Sequence, residues 1–515
     1  MHSPAAQPNV AAEMPPQKQQ VQTKRPAIRI RIRWIAAIFC LALFASVVLY
    51  HTNKPLPEGL SFESKAYYTG SVSFLQNLSF ERGGERVYED QIYAAWAEAI
   101  ARAEHWIVLD TFMLDGYQDR DAGFPPLTKE ITDKLIKQKE RYPELRLIVI
   151  TDEINTMYGS YPAPAVERLK AAGAEVFFTD LDKLRDSNPL YSGFWRIFAQ
   201  WFGQSGRGWV PNALADTAPD STLRSYMKLL NVKANHRKVM LTDKTAIVSS
   251  ANIHDASAYH SNIGFQFEGP ILKDVWKAEQ AVIRMSGGPE IDLDFTKAGL
   301  ASNKGIVATA DYKFARPDRA QIRLLTEGKI ADRVIRSIDE AKAGERIWIG
   351  MFYLADRDIV KALLGAAERK ADVRLILDPN KNAFGQQKTG LPNIPVAAEL
   401  TERSDGAVKI RWYKTGEEQY HTKLMLIQKQ EEAIVIGGSA NFTRRNLDDL
   451  NLEADLMIEA ENGSKIVGEV EGYFERLWDN RDGVYTLPYE AYDAKLPFVK
   501  QTAYAIQKML GFTTY

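Results

Sequence analysis

Apolar and polar positions along this chain fall into helix-like and strand-like blocks, and the order of blocks comes twice. A pattern of helical spacing over 92–103 leads to a short apolar run at 105–109, and the same pair recurs at 331–343 and 346–349. A second run, 145–150, matches 373–377, and a third, 174–178, matches 408–412. Phe112 follows the first run where Phe352 follows its counterpart. Helical patterns at 164–172 and 358–369 fill gaps between runs. Apolar residues three and four apart line one side of a helix, whereas short runs bounded by turn residues read as strands. Helices alternating with strands predict a parallel or mixed α/β sheet, and the repeat predicts two lobes of that kind. Gly287-Gly288-Pro289 and a strand-poor stretch place the division near 287–317.

Two segments break the repeat. Residues 1–28, rich in Pro, Gln and Ala, have no apolar periodicity and predict a disordered tail. Arg29, Arg31 and Arg33 follow, then an uncharged run over 34–50 bracketed by Trp34 and Tyr50. Its length is at the short end of a membrane span, and Trp and Tyr belong at membrane interfaces. Lys and Arg outnumber the one acidic residue before it, Glu13. The N-terminus is therefore expected in the cytoplasm and the body on the exported face of an inner membrane, as a single-pass protein. A cleaved signal peptide is the competing reading. The long basic stretch, and the lack of a small-residue cleavage site after the apolar run, favour a retained anchor.

The other break is 182–230, which has no counterpart in the second half. It is dense in aromatics, Trp195, Phe198 and Trp201 among them, and carries Arg185, Arg196 and Arg207. Three readings fit this composition: a cap with its aromatics buried, an interfacial segment dipping into lipid, and a basic stacking surface for single strands. The lipid reading makes Trp195, Phe198 and Trp201 substrate-binding candidates. The expected layout is a basic tail at 1–33, an anchor at 34–50, a first lobe at 60–290 with the insert 182–230, a second lobe at 315–490 and an extension at 491–515.

Composition changes this picture little. A chain of 515 residues can bury two sizeable cores. A formal charge of −1 gives no global attraction to nucleic acid, and no specific nucleic-acid partner is expected. The one cysteine, Cys40, lies in the apolar run, which leaves the body without a disulfide framework or a cysteine metal site. No His/Asp cluster with metal-ligand spacing stands out, so neither metal nor cofactor is expected, and His254 and His260 read as turn or surface residues.

The chemistry lies in a repeated short pattern. His236-Arg237-Lys238 precedes Asp243 and then Ser249-Ser250-Ala251-Asn252; His421-Thr422-Lys423 precedes Gly438-Ser439-Ala440-Asn441. Each opens an apolar run that turns back into a second one, which reads as a strand hairpin. Alternation puts His and Lys, two apart, on one face. A single HxK is common by chance and usually means an exposed polar pair. Two copies in matching contexts, among only seven histidines, are much harder to dismiss.

On these motifs the chain resembles the phospholipase D superfamily, and most closely its bacterial cardiolipin synthase-like membrane proteins. The resemblance covers roughly 65–490, and Phe265-Gln266-Phe267-Glu268-Gly269-Pro270 adds to it. It departs from that branch in having one span instead of two. Motif one has Ser249 where Gly is usual; motif two has Gln428 where Asp is usual and keeps Glu453, to which Gly264 is expected to correspond. The resemblance implies two lobes related by a pseudo-twofold axis, with both HxK strands meeting at their interface. It implies catalysis by His236, Lys238, Asp243, Asn252, His421, Lys423, Ser439, Asn441 and Glu453, without a cofactor. One histidine, taken as His236, would form a phosphohistidine and the other would move protons. The lysines and asparagines would hold the phosphate oxygens, and Glu453 would orient an imidazole. The implied substrate is a phospholipid, phosphatidylglycerol first. A lipid hydrolase, a single-strand nuclease of the same superfamily and a noncatalytic binding protein are the alternatives, the last favoured by Gln428 and Gly264.

Overall fold

The computed structural model describes residues 26–118, 123–204, 207–297, 320–383, 386–387 and 390–492. The tail before residue 26, the latter part of the expected division and the extension beyond 492 lie outside the described residues. The β-branched runs build two mixed sheets. In spatial order the first holds Glu85–Glu89, Val72–Arg82, Asn262–Phe267, Ala246–Ser249, Lys238–Thr242, Trp106–Thr111, Arg146–Thr151 and Glu175–Phe178. The second holds Tyr67–Thr69, Ala320–Thr326, Ala454–Glu461, Glu432–Gly438, Lys423–Gln428, Arg346–Met351, Asp372–Leu377, Lys409–Tyr413 and Thr486–Pro488.

Chain connectivity explains the mixture. Parallel neighbours need a crossover, and the helices Leu127–Arg141, Pro164–Ala171, Arg357–Glu368 and Asn393–Arg403 supply it between the three parallel strands of each sheet. The HxK strands need only a tight turn and run antiparallel to their successors. Tyr67–Thr69 precedes the whole first sheet yet pairs with Ala320–Thr326, so the start of the body belongs to the second sheet.

The lobes share a core. Phe74 and Phe265 from the first and Trp348, Tyr413, Tyr420 and Phe474 from the second are buried in one cluster, and each lobe has a further cluster beneath its outer helices. Burying one such side chain contributes about 1.5–3 kcal/mol, so the shared cluster helps to hold the lobes together.

The N-terminal helix, Pro26–Asn53, begins before the apolar run, because arginine continues a helix readily. Its segment 33–53 is long and apolar enough to cross a membrane, and most of its large apolar side chains are exposed. The last turns rest on a short helix of the insert, Pro189–Phe194. The contact requires a glycine: a Cβ on Gly193 would come within 2.6 Å of Val48.

Candidate active site

Both HxK segments are built alike. Their strands begin at Lys238 and Lys423, later than alternation predicts, because the residues before them pair with the opposite lobe. Asn235 bridges Leu452 and Tyr420 bridges Ser261, both in parallel. Buried carboxylates fix the two approaches: Asp152 accepts from the Asn235 N–H and Asp378 from the Tyr420 N–H, each at 2.7 Å. Burial pushes both carboxyls up to about 7.

His236 and His421 line one cavity of about 260 Å³ between the lobes. Lys238 Nζ donates to the His236 carbonyl at 2.7 Å, and Lys423 Nζ to the His421 carbonyl at 2.8 Å. Phe112 packs 5.3 Å from the His236 ring and Phe352 5.0 Å from His421, and each ammonium sits 5.2 Å from the same phenylalanine. Asn252 and Asn441 also line the cavity, each with an amide oxygen that has no partner among the described residues.

The halves part at the second ring nitrogen. His236 Nδ1 faces the two oxygens of Glu453 at 2.9 and 3.0 Å. His421 Nδ1 faces Asn262 Oδ1 at 3.0 Å. Each orienting group comes from the other lobe. Ser439 Oγ donates to Glu453, as Ser250 Oγ donates to Asn262 Oδ1 at 2.9 Å, and Asn446 Nδ2 donates to the second Glu453 oxygen. Asn262, not Gly264, is therefore the counterpart of Glu453, and Glu453 serves the histidine of motif one. Sheet register explains the two-residue error: Gly264 pairs with Ser249, and Asp455 with Gly438. A Cβ on Gly264 would lie 3.0 Å from Ser249 Cβ, and one on Gly438 would lie 2.7 Å from Asp455 Oδ1. The unusual Ser249 and the glycine opposite it are thus one paired exchange.

Arg237 lies between His236 and Lys238 and points to the opposite face, as alternation requires. There Glu327 meets it at 2.7 Å and Glu279 at 3.4 Å. Glu327 Oε1 also accepts from the Glu453 N–H at 3.1 Å, which ties the orienting carboxylate to the HxK strand.

Burial, then the ammoniums of Lys238 and Lys423, hold His236 well below its usual 6.5. Burial and the neighbouring lysines do the same to His421. Burial brings Lys238 down to about 7, and burial with Lys238 beside it lowers Lys423 well below 10.5. Burial raises Glu453, against the pull of Lys238, Ser439 and Asn446. Two ammoniums and two imidazoles crowded together disfavour positive charge, and a phosphate oxygen among them would relieve that strain. The arrangement can hold an anion, attack it from one side and move a proton on the other.

Asp243 and the three aromatic candidates of the insert do not reach the cavity. Asp243 is buried in the hairpin turn, about 16 Å along the strand from Lys238, where it accepts from the Glu104 N–H at 3.1 Å and faces Lys244 at 3.2 Å. Glu104, His105 and Asp243 bring ligand atoms within 4.8 Å of one another, but Lys244 bridges both carboxylates. Trp195 is buried under the insert, while Phe198 and Trp201 are exposed; none of the three lines the cavity. Trp195 and Phe198 lie on the π-helical turn Trp195–Ala199, and Trp201 lies just beyond it. The apolar part of the lining comes instead from Met113, Ile154, Tyr158, Leu229 and Val232, and polar side chains come from both lobes, among them Lys233, Asn252, Gln419, Asn446 and Asn451.

Sequence reasoning placed both His260 and His254 wrongly. His260 is buried and lines the cavity. Its Nδ1 accepts from the Gln419 N–H at 3.2 Å, which puts the ring proton on Nε2. Asn451 Oδ1 accepts from the Ala234 N–H at 3.0 Å in the same way. Burial drives His260 down to about 3, so it stays a neutral donor. The available signal was spacing: His260 precedes Asn262 by two, as Asn451 precedes Glu453. His254 is also buried, with Nε2 bonded to the Tyr117 carbonyl at 2.8 Å.

Residues 334–478, which carry His421, Lys423, Asn441 and Glu453, match the family model described as cardiolipin synthase, PLD-like domain. The chain has a phospholipase D-like fold. A phosphatidylserine synthase from Haemophilus influenzae Rd KW20 superposes on this phospholipase D-like body with a TM-score of 0.52 at 12% identity, covering 91% of this chain and 97% of that one. A polyphosphate kinase from Porphyromonas gingivalis gives 0.41 at 14%, over 86% and 53% of the two chains. Nuc, a phospholipase D family member from Salmonella typhimurium, gives 0.24 at 18%, over 32% and 97%. At such identities the likeness is one of fold. No curated protein matches the chain in sequence.

Proposed function

We propose that this protein is a membrane-anchored phosphatidyltransferase that works through a phosphohistidine, in the manner of a cardiolipin synthase. The observation that carries the reading is His236, held through Nδ1 by Glu453 and sharing one cavity with His421. A carboxylate on Nδ1 keeps the proton there and leaves the Nε2 lone pair free to attack. His236 Nε2 attacks the phosphorus of phosphatidylglycerol, and a P–N bond forms as the P–O bond to the headgroup glycerol breaks. The bound anion raises the proton affinity of His421, which takes a proton from solvent and passes it to the departing alkoxide. The headgroup hydroxyl of a second phosphatidylglycerol then gives its proton to His421 and attacks phosphorus, breaking the P–N bond. Cardiolipin and glycerol are the products. Lys238 and Lys423 stabilise the charge of the five-coordinate state, with Asn252 and Asn441 beside them. Ser439 holds Glu453, and Asp243 holds the turn.

Two features favour lipid over nucleic acid. The cavity lining includes the apolar side chains Met113, Ile154, Tyr158, Leu229 and Val232, which suit the apolar end of a lipid headgroup region better than a nucleotide. The N-terminal helix would anchor the body, with the cytoplasmic N-terminus that its arginines imply. The test is mass spectrometry of lipids after the detergent-solubilised protein meets phosphatidylglycerol, beside a His236→Ala/His421→Ala control. Cardiolipin and glycerol, absent from the control, support transfer. Phosphatidic acid would mean hydrolysis, and no product would overturn the lipid reading.

A further inference from the structure

We infer that the insert around 187–230 is a monotopic platform seated in the lipid interface, which holds the mouth of the cavity against the bilayer. The partner is a bilayer surface, and the inference deepens the lipid reading of the site.

The apolar surface of the body is concentrated here. Outside the N-terminal helix, every exposed large hydrophobic side chain among the described residues lies within 190–230, except Tyr88 and Val484. Leu190, Phe194 and Phe198 recur every four residues along the α-helix Pro189–Phe194 and the π-helical turn Trp195–Ala199, Trp201 and Phe202 follow just beyond it, and all five are exposed, Phe202 at 71%. Ser192, Gly193, Trp195 and Ala199, between them in the chain, are buried. An amphipathic segment with a Trp/Phe face is the kind that lies in the headgroup boundary, about 5–10 Å deep.

What covers the exposed side chains follows from the N-terminal helix. Its last turns pack on Pro189–Phe194, with Phe44 and Val48 against Gly193. Its end is bonded to the insert: the Asp186 N–H donates to the His51 carbonyl at 3.0 Å, Lys54 Nζ to the Asp182 carbonyl at 2.7 Å, and Arg185 Nε to the Lys54 carbonyl at 2.9 Å. A helix that crosses the membrane thus emerges beside the exposed side chains and fixes their depth.

The platform also reaches the cavity. Asp186 forms two bonds to Arg196, at 2.9 and 2.7 Å, and pairs with Lys233, a cavity-wall residue, at 2.7 Å. The helix Leu223–Leu229 starts at an exposed leucine and ends at Leu229 in the cavity lining, about 9 Å away along its axis. A cavity of about 260 Å³ can enclose a phosphodiester and its glycerols, but two acyl chains must remain outside. With the platform in the interface, the chains stay in the bilayer while the headgroup enters.

The test uses the full chain with Cys40→Ala, which leaves no native thiol. Single cysteines replacing Leu190, Phe202, Trp209 or, as a control on an outer helix of the second lobe, Lys361 carry an environment-sensitive fluorophore. The protein is reconstituted into phosphatidylglycerol/phosphatidylethanolamine vesicles. The platform labels should be quenched by spin-labelled lipid and shielded from aqueous iodide, with the reverse at 361. Iodide quenching at the platform equal to that at 361 would overturn the inference. So would shielding from both quenchers, which means a protein covers the platform. In a second arm, Leu190→Glu/Phe202→Glu should lower turnover of vesicle lipid at least tenfold and leave turnover of soluble short-chain phosphatidylglycerol unchanged. Equal loss on both substrates would also overturn it. Fluorescence needs no turnover, so failure of the lipid-transfer reading is told apart from failure of the platform.

Discussion

Replacing Glu453 by Gln tests the orientation of His236 most directly. Glu453 receives hydrogen bonds from His236 Nδ1, Ser439 Oγ and Asn446 Nδ2. A glutamine has one acceptor and one donor end. Asn446 Nδ2 can only donate, so it claims the new amide oxygen, and the amide N–H group then faces Ser439 Oγ and His236 Nδ1. Ser439 can accept, because its hydroxyl already accepts from the Ala454 N–H at 2.9 Å. His236 Nδ1 must then accept as well, which moves its proton to Nε2, the nitrogen needed for attack. Holding the reactive tautomer instead leaves a buried donor unpaired, at about 1–3 kcal/mol, and exchanges a charge-assisted bond for a neutral one, at about 1 kcal/mol more. The sum, about 2–4 kcal/mol, predicts a fall of about 30- to 1,000-fold in phosphohistidine formation. Acid-quenched single-turnover experiments with phosphorus-labelled phosphatidylglycerol read that step. A change below about threefold would refute the argument that Glu453 sets the tautomer.

Three further outcomes are expected. In pH profiles, kcat/KM should fall above about pH 7, where Lys238 loses its charge in the free protein; His236, held well below 6.5, limits only the acid side, and a profile flat to pH 9 would contradict this. Asp186→Ala strands Arg196 and Lys233 without their carboxylate and should cost about 3–5 kcal/mol, read by denaturant unfolding in detergent. Gly264→Ala should cost about 1–3 kcal/mol through its contact with Ser249, and adding Ser249→Gly should recover most of that; additive losses in the double-mutant cycle would refute the paired exchange.

Strand positions were legible because buried parallel strands read as apolar runs, and the repeated HxK pointed to a shared site. Register was not. Between Asn252 and Asn262 the chain makes a short strand and a 3-10 turn; between Asn441 and Glu453 it makes a helical turn, Arg444–Leu447. Counting along the chain cannot see that different detours end at the same rung. His260 was misplaced for a related reason, since its burial is decided by Gln419 of the opposite lobe. In the insert, aromatic density was readable, but the phase that separates buried Trp195 from exposed Trp201 comes from packing under the helix.

The crossed wiring of the histidines has a consequence for biogenesis. Glu453 lies more than two hundred positions after His236, and Asn262 lies far before His421. While the chain is being synthesised, His236 emerges long before the carboxylate that orients it, and His421 finds its partner only once the lobes have closed. Neither lobe alone, and no partly synthesised chain, holds a correctly oriented pair. The site is thereby armed last, by the docking step that completes the fold.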